Sequence, residues 1–187
     1  MTEADSRVPQ PDATLVKLVL AGDLSAYAEL HDRYARLVRA ICYDTTSDIT
    51  YAQDISQDVF LRAYRRLADL RDPSKFAAWL IGITRLVCKE WGRARARDRH
   101  KYVGLNPVAG VPADPQGEDQ LLATLRAAMR SLPARERLAL HIFYLQDQHV
   151  DVARSALGLS RPGLYRMLAR GRKRLRRRMQ SYGEDVS

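Results

Sequence analysis

Hydrophobic positions recur along most of the chain at spacings of three and four, the period of a helix with one buried face. Leu15, Val16, Leu18 and Val19 open a short helix that Gly22 can end, and Asp23 can cap the next. Tyr27, Leu30, Tyr34, Leu37, Val38 and Ile41 carry this second helix through Cys42, after which Asp44–Thr50 is polar and turn-like. A third helix is predicted over about Ala52–Leu70, where Ile55, Val59, Ala63 and Leu67 fall on one line facing a core. Arg71-Asp72-Pro73-Ser74 breaks it, because proline disfavours helix at the residue before it. A fourth helix runs from about Ser74 to Arg97, with Phe76, Leu80, Ile83, Val87 and Trp91 on its buried face.

The period then stops. Residues 102–119 carry three Pro and three Gly, a composition that suits an extended, semi-flexible tether. Beyond it the helical spacing resumes. Leu121, Leu122, Leu125, Met129 and Leu132 make one helix, and Pro133 starts another with Leu138, Ala139, Ile142, Phe143 and Leu145. Val150–Leu157 and Arg161–Gln180 complete the set. The pattern predicts an all-α protein of two small helical domains joined by a flexible linker. The expected divisions are an arm over 1–13, a domain over 14–100, a linker over 101–118, a second domain over 119–180 and a tail over 181–187. No internal repeat is visible.

The last helix combines two signals. Leu164, Leu168, Leu175 and Met179 form an apolar stripe, while Arg166, Arg170, Lys173, Arg174 and Arg177 fall on other faces. Ser160 can cap its start and Pro162 is tolerated in a first turn. The short helix before it, the Leu157-Gly158-Leu159-Ser160 turn and this capped basic helix have the order of a helix-turn-helix. The alternative is a solvated basic tail after a core helix.

Charge sharpens that choice. Arg161–Arg178 holds nine Lys/Arg and no acid; removing those nine from the chain's 31 bases leaves as many bases as acids, 22. The net +9 is therefore concentrated in one helix-sized patch, suited to a polyanion whose condensed counterions it would release.

Two other helices carry surfaces that need explaining. In the third, Asp54, Gln57, Asp58, Leu61 and Arg65 form a second stripe with Phe60 and Tyr64 beside it, mixing acids with large apolar groups. This is either a docking surface or an ordinary amphipathic helix whose aromatics are core. In the fourth, Arg85, Lys89, Arg93 and Arg97 make a straight basic row behind Phe76 and Trp79. Charge that tracks a backbone beside rings that stack on bases suits a single strand, although Trp79 also fits a core position.

Other chemistry is not indicated. His31, His100, His141 and His149 have no metal-ligand context, and there is no P-loop. Asp54 and Asp58 lie one turn apart, but a hard cation wants more converging oxygens than two. No catalytic residue, metal or cofactor is expected. No apolar run approaches a membrane span, and the N-terminus lacks the basic start and apolar core of a signal peptide, so a cytoplasmic protein is expected. Cys42 and Cys88, each within an apolar helical pattern, are expected as buried free thiols, with a redox switch or disulfide as the alternative.

Taken together, the stretches resemble an extracytoplasmic-function (ECF) sigma factor of bacterial RNA polymerase, in the sigma-70 family. The resemblance covers roughly Leu15–Met179. It rests on Gly22-Asp23…Ala26-Tyr27…Leu30…Tyr34, on Gln53-Asp54-Ile55-Ser56-Gln57-Asp58-Val59-Phe60-Leu61-Arg62-Ala63-Tyr64, and on Phe76-Ala77-Ala78-Trp79-Leu80-Ile81-Gly82-Ile83. In the second half it rests on Leu132-Pro133-Ala134-Arg135-Glu136-Arg137, on Leu157-Gly158-Leu159-Ser160, and on Arg170-Gly171-Arg172 with Leu175.

The resemblance implies partners for each face. Asp54, Gln57, Asp58, Phe60 and Leu61 would dock on the clamp coiled coil of the largest subunit of core RNA polymerase. Arg71, Ser74, Lys75, Phe76 and Trp79 would hold the melted minus-ten strand of promoter DNA, with Ser74, Lys75 and Phe76 at the pocket for an extruded base. Arg85, Lys89 and Arg93 would follow its phosphates. Ser160, Arg161, Tyr165, Arg166, Ala169, Arg170 and Arg174 would meet the minus-35 element. An anti-sigma factor is the further partner that the resemblance allows, and association with the nucleoid is expected when the protein is active. The chain departs from the family at Leu86, where Asn is common, at Gly163, where Thr is usual, at Pro162, and at Arg154, where Ala is usual. Two other functions fit parts of the sequence. A helix-turn-helix regulator that does not dock on polymerase would leave the Asp54–Tyr64 face without work. An enzyme acting on DNA would need a carboxylate cluster or a positioned nucleophile.

Overall fold

The computed structural model describes residues 10–101, 120–146 and 150–184, with the side chains of 98–101 and 182–184 excepted. The expected tether, most of the arm and the end of the tail lie outside the described residues. The described residues form α1 (Asp12–Leu20), α2 (Leu24–Thr46), α3 (Ile49–Arg65), α4 (Phe76–Lys101), α5 (Gln120–Arg130), α6 (Ala134–Leu145), α7 (Val150–Leu157) and α8 (Arg161–Glu184). Two 3-10 turns, Leu67–Asp69 and Pro73–Lys75, connect α3 to α4.

Helix starts follow local chemistry. The Asp23 carboxylate accepts the N–H groups of Ser25 and Ala26 at 2.9 and 3.4 Å. The Ser25 hydroxyl, donating to it at 2.6 Å, and then these N–H groups hold the Asp23 pKa below the usual carboxylate range. Gly22 precedes it at φ 101°, a conformation that a side chain would strain. Asp48 caps α3 through Thr50 and Tyr51, and Asp72 caps the turn before α4 through Ser74.

The expected polar turn after Cys42 is a correction. α2 continues one more turn to Thr46 and is closed by Ser47 at φ 55°. Local propensity favours the turn, but distant groups hold the helix. The Asp44 carboxylate accepts from Arg137 Nε at 2.6 Å and faces His141 Nε2 at 3.1 Å. The third helix likewise starts earlier than expected, at Ile49, and gives way to the 3-10 turn that keeps Leu67 buried.

α1–α4 pack as one unit. Leu15, Val16, Leu30, Leu37, Val38, Val59, Ala63, Phe76 and Leu80 fill its centre. In the second unit Leu138, Ile142, Leu157, Leu164 and Leu168 are buried. Gly171 lets α8 approach α6, for a Cβ there would sit 3.3 Å from Leu140 Cδ1. The turn between α7 and α8 carries Gly158 at φ 63°. The two units do not stand apart. α6 lies on α2 and α7 on α4, and one buried apolar cluster runs through both. Their seam holds the Asp44–Arg137–His141 group and a bond from Gln146 Nε2 to the Arg33 carbonyl at 3.0 Å.

Candidate functional site

Three exposed surfaces carry the candidate residues. On α3, Ile55, Val59 and Ala63 face inward, so residues one position before or two after each turn outward. Asp54, Gln57, Asp58 and Leu61 are all exposed, Leu61 at 53%, and Tyr64 extends the face at 44%. Neither aspartate forms an ion pair among the described residues. The face is rigid because α2 braces it: Tyr27 donates to the Phe60 carbonyl at 2.5 Å, and its ring meets Tyr64 edge-on at 5.0 Å. Burial pushes the Tyr27 hydroxyl well above the usual phenol range. Phe60 is a correction to this surface. It is 5% exposed and lies against His31 at 4.4 Å, because α2 covers that side of α3.

The second surface is the turn before α4 and the flank of α4. Arg71, Ser74 and Lys75 are exposed. Asp72 accepts from the Ser74 hydroxyl at 2.6 Å and pairs with Lys75 at 3.3 Å, so the turn is pre-shaped. Phe76 is the second correction. It is fully buried, with Tyr34 at 5.6 Å and Trp79 at 6.0 Å, and presents no ring to solvent. Trp79 is half-buried against the same core. Arg85, Lys89, Arg93 and Arg97 do form an exposed row. Arg85 and Lys89 also line a cleft of about 380 Å³ whose opposite wall is Ala134, Arg137 and Leu138 of the second unit. Further along α4, Arg95 lies over the rings of Tyr51 and Trp91 at 5.0 and 5.3 Å. The sequence reading missed that stack, although Trp91 and Arg95 are one helical turn apart.

The third surface is the outer face of α8. Ser160, Arg161, Tyr165, Arg166, Ala169 and Arg170 are exposed, with Leu164, Met167 and Leu168 beneath them. The Ser160 hydroxyl accepts the Gly163 N–H at 3.3 Å, capping the helix, and a Cβ on residue 163 would stand only 3.1 Å from that oxygen. Glycine therefore fits a local need at the position where Thr is usual. Arg174 is exposed as well, and it also has a partner within the fold. Its guanidinium donates to the buried Glu136 at 2.7 Å and ties α8 to α6, with Arg170 3.9 Å from the same oxygen. Arg174 is thus an anchor, while Arg166 and Arg170 keep the outward position.

A groove of about 940 Å³ also opens between the units, floored by apolar side chains such as Leu125, Met129 and Leu175 and rimmed by Arg36, Arg39 and Arg176. The described residues contain no cluster that could hold a metal ion, and no helix among them is long and apolar enough to cross a membrane.

Residues 30–98 match the family described as Sigma-70 region 2, which makes α2–α4, with the acidic face and the basic row, a region of that type. A probable RNA polymerase sigma factor of Xanthomonas campestris, RfaY, is 33% identical over 83% of this chain, which spans 41% of that relative's length. SigM of Mycobacterium tuberculosis is 28% identical over 91% of this chain and 86% of its own, and SigW of Bacillus subtilis is 23% identical over 88% and 95%. Both relatives are described as ECF RNA polymerase sigma factors. Two solved structures share the fold. CnrH in complex with the cytosolic domain of CnrY has a TM-score of 0.65 at 21% identity, covering 92% of this chain and 99% of that one. RpoE in complex with the anti-sigma factor NepR, from Bartonella quintana, has a TM-score of 0.54 at 23% identity, covering 81% and 97%. The chain is thus similar to ECF sigma factors along most of its length, and its residues 30–98 match Sigma-70 region 2.

Proposed function

We propose that the protein is an ECF sigma factor that docks on core RNA polymerase through α3 and directs promoter-specific initiation, with no catalytic activity of its own. The observation that carries the proposal is the exposed face of Asp54, Gln57, Asp58 and Leu61, whose acids have no ion-pair partner among the described residues. A charged rim around an apolar contact gives steering and register on a complementary basic surface. The clamp coiled coil of the largest polymerase subunit is the assigned partner.

The DNA roles divide between the units. Arg71, Ser74 and Lys75 hold the melted minus-ten strand, and Arg85, Lys89 and Arg93 follow its phosphates. The α7–α8 helix-turn-helix lies in the major groove at the minus-35 element, with Tyr165, Arg166, Ala169 and Arg170 toward the bases and Ser160 and Arg161 at the backbone. The domain roles follow: residues 14–100 bind polymerase and the minus-ten element, 101–118 link, and 119–180 bind the minus-35 element. The groove rimmed by Arg36, Arg39 and Arg176 suits an acidic amphipathic helix, the chemistry of an anti-sigma partner. Run-off transcription with purified core enzyme tests the proposal. Added protein should make initiation promoter-dependent; no effect at any candidate promoter, together with no complex on gel filtration, overturns it.

A further inference from the structure

Cys42 on α2 and Cys88 on α4 meet inside the first unit. Their sulfur atoms are 3.9 Å apart, and both thiols are free and buried. Two features separate them from ordinary buried neighbours. First, Cys88 forms part of the lining of the 380 Å³ cleft between the units, beside Arg85, Lys89 and Arg137. A small oxidant that enters the cleft therefore meets the Cys88 side of the pair first. Second, the two thiols differ in their surroundings, Cys88 facing the cleft and Cys42 lying behind it. The neighbouring Cys42 holds Cys88 below the usual thiol range, helped by the Thr45 side chain and opposed by burial and by the Asp44 carboxylate. Contact with Cys88 and then burial push Cys42 far up. The thiolate is the reactive form of a cysteine.

We propose that Cys42 and Cys88 are an oxidisable dithiol, in which Cys88 is the sulfur attacked by a hydroperoxide entering the cleft and Cys42 is the resolving thiol. The Cys88 thiolate attacks one peroxide oxygen, the O–O bond breaks, and the departing hydroxide takes up a proton to leave as water. The sulfenic acid on Cys88 then meets Cys42 already in contact. Cys42 gives up its proton, its sulfur bonds to that of Cys88, and the S–O bond breaks to release a second water. The thiols lose two electrons and the peroxide gains them. Closing the 3.9 Å contact to the roughly 2 Å of an S–S bond requires a shift of about 2 Å, the scale of a side-chain rotation with a small helix movement. Arg85 and Lys89, which line the same cleft, are the cations placed to favour the leaving hydroxide, since Arg137 there is already paired with Asp44. The bond would join α2 to α4 under the seat of α6, two residues from the Asp44 that holds the seam.

The test uses the reduced full-length chain, hydrogen peroxide and non-reducing peptide mapping. Expected is a monomer with a Cys42–Cys88 cross-link and the loss of two hydrogens. Cys42→Ala should instead accumulate a sulfenic acid at Cys88, trapped by dimedone, and Cys88→Ala should leave Cys42 unlabelled. The Arg85→Gln/Lys89→Gln double variant should oxidise several-fold more slowly. Circular dichroism melts confirm that each variant is folded, and the wild-type cross-link stands without them. The proposal is overturned if the folded wild-type chain keeps both thiols while the urea-unfolded chain reacts, if only intermolecular disulfides form, if Cys42 is the labelled sulfur, or if the double variant reacts at the wild-type rate.

Discussion

Asp58 and Phe76 show how a single position divides between surface work and core work. Asp58 points outward from α3 beside Leu61, with no ion-pair partner among the described residues. Asp58→Arg should therefore leave the melting temperature within experimental scatter, since exposed substitutions typically change stability by no more than ~0.5 kcal/mol. Binding to core polymerase should fall by a hundredfold or more, because like charges at a formed interface cost several kcal/mol. Anisotropy titration with labelled protein measures the loss, and a collapsed melt would place Asp58 in the fold instead. Phe76 behaves in the opposite sense. Fully buried between Tyr34 and Trp79, it should cost about 3–5 kcal/mol when changed to Ala, read as a lower denaturant midpoint. Both the closed complex and strand opening should then weaken together. Selective loss of permanganate reactivity at unstacked thymines, with stability intact, would return Phe76 to the base pocket.

Helices were legible where one periodic stripe decided the outcome. Ile55, Val59, Ala63 and Leu67 fall on the core face, as do Leu164 and Leu168. The same pattern misplaced Phe60, because a helix covered by α2 on its flank buries more than one stripe. The anchor at Arg174 was hidden as well: among nine bases of one helix, nothing local marks the one that Glu136 captures from α6. That capture divides α8 by function. Arg170→Ala should flatten preference at one or two base pairs of the minus-35 element, where a bidentate contact discriminates by ~1–3 kcal/mol. Arg177→Ala should weaken all sequences alike and reduce the salt slope by roughly one. Binding series over single-base promoter variants at several salt concentrations separate the two, and uniform losses in both would move base reading to Tyr165. Gly171 sets the seating of the helix. Gly171→Val adds methyls where even a Cβ is 3.3 Å from Leu140, and should destabilise by about 1–3 kcal/mol, seen in thermal melts.

The seam between units is the part of the molecule least visible in the sequence. A one-dimensional pattern separates two helical groups across a Pro- and Gly-rich stretch and says nothing of how they meet. The meeting depends on polar side chains such as Asp44, which local rules assign to a turn. Asp44 and Arg137 are 15% and 17% exposed, so Asp44→Ala leaves a largely desolvated guanidinium without its counter-charge, held only by the Arg130 and Leu132 carbonyls. The variant should expand in solution, with a larger radius of gyration by small-angle scattering, and lose stability. An unchanged radius and melt would show that the apolar contacts hold the units together without the ion pair.

That seam also sets an order of events in time. Its polar links join residues 93, 97 and 113 positions apart, whereas the cores of α1–α4 and α5–α8 each close within one unit, over shorter separations. Contacts of long sequence separation demand the largest loop-closure entropy and form late. The first unit should thus acquire its protection against amide exchange while the second is still unprotected or undocked, and pulse labelling during refolding should show α2 up to Cys42 slowing before its last turn. On a ribosome, α1–α4 emerge long before α6, so their core should form first. Asp44 would then wait, solvated, for a partner not yet synthesised.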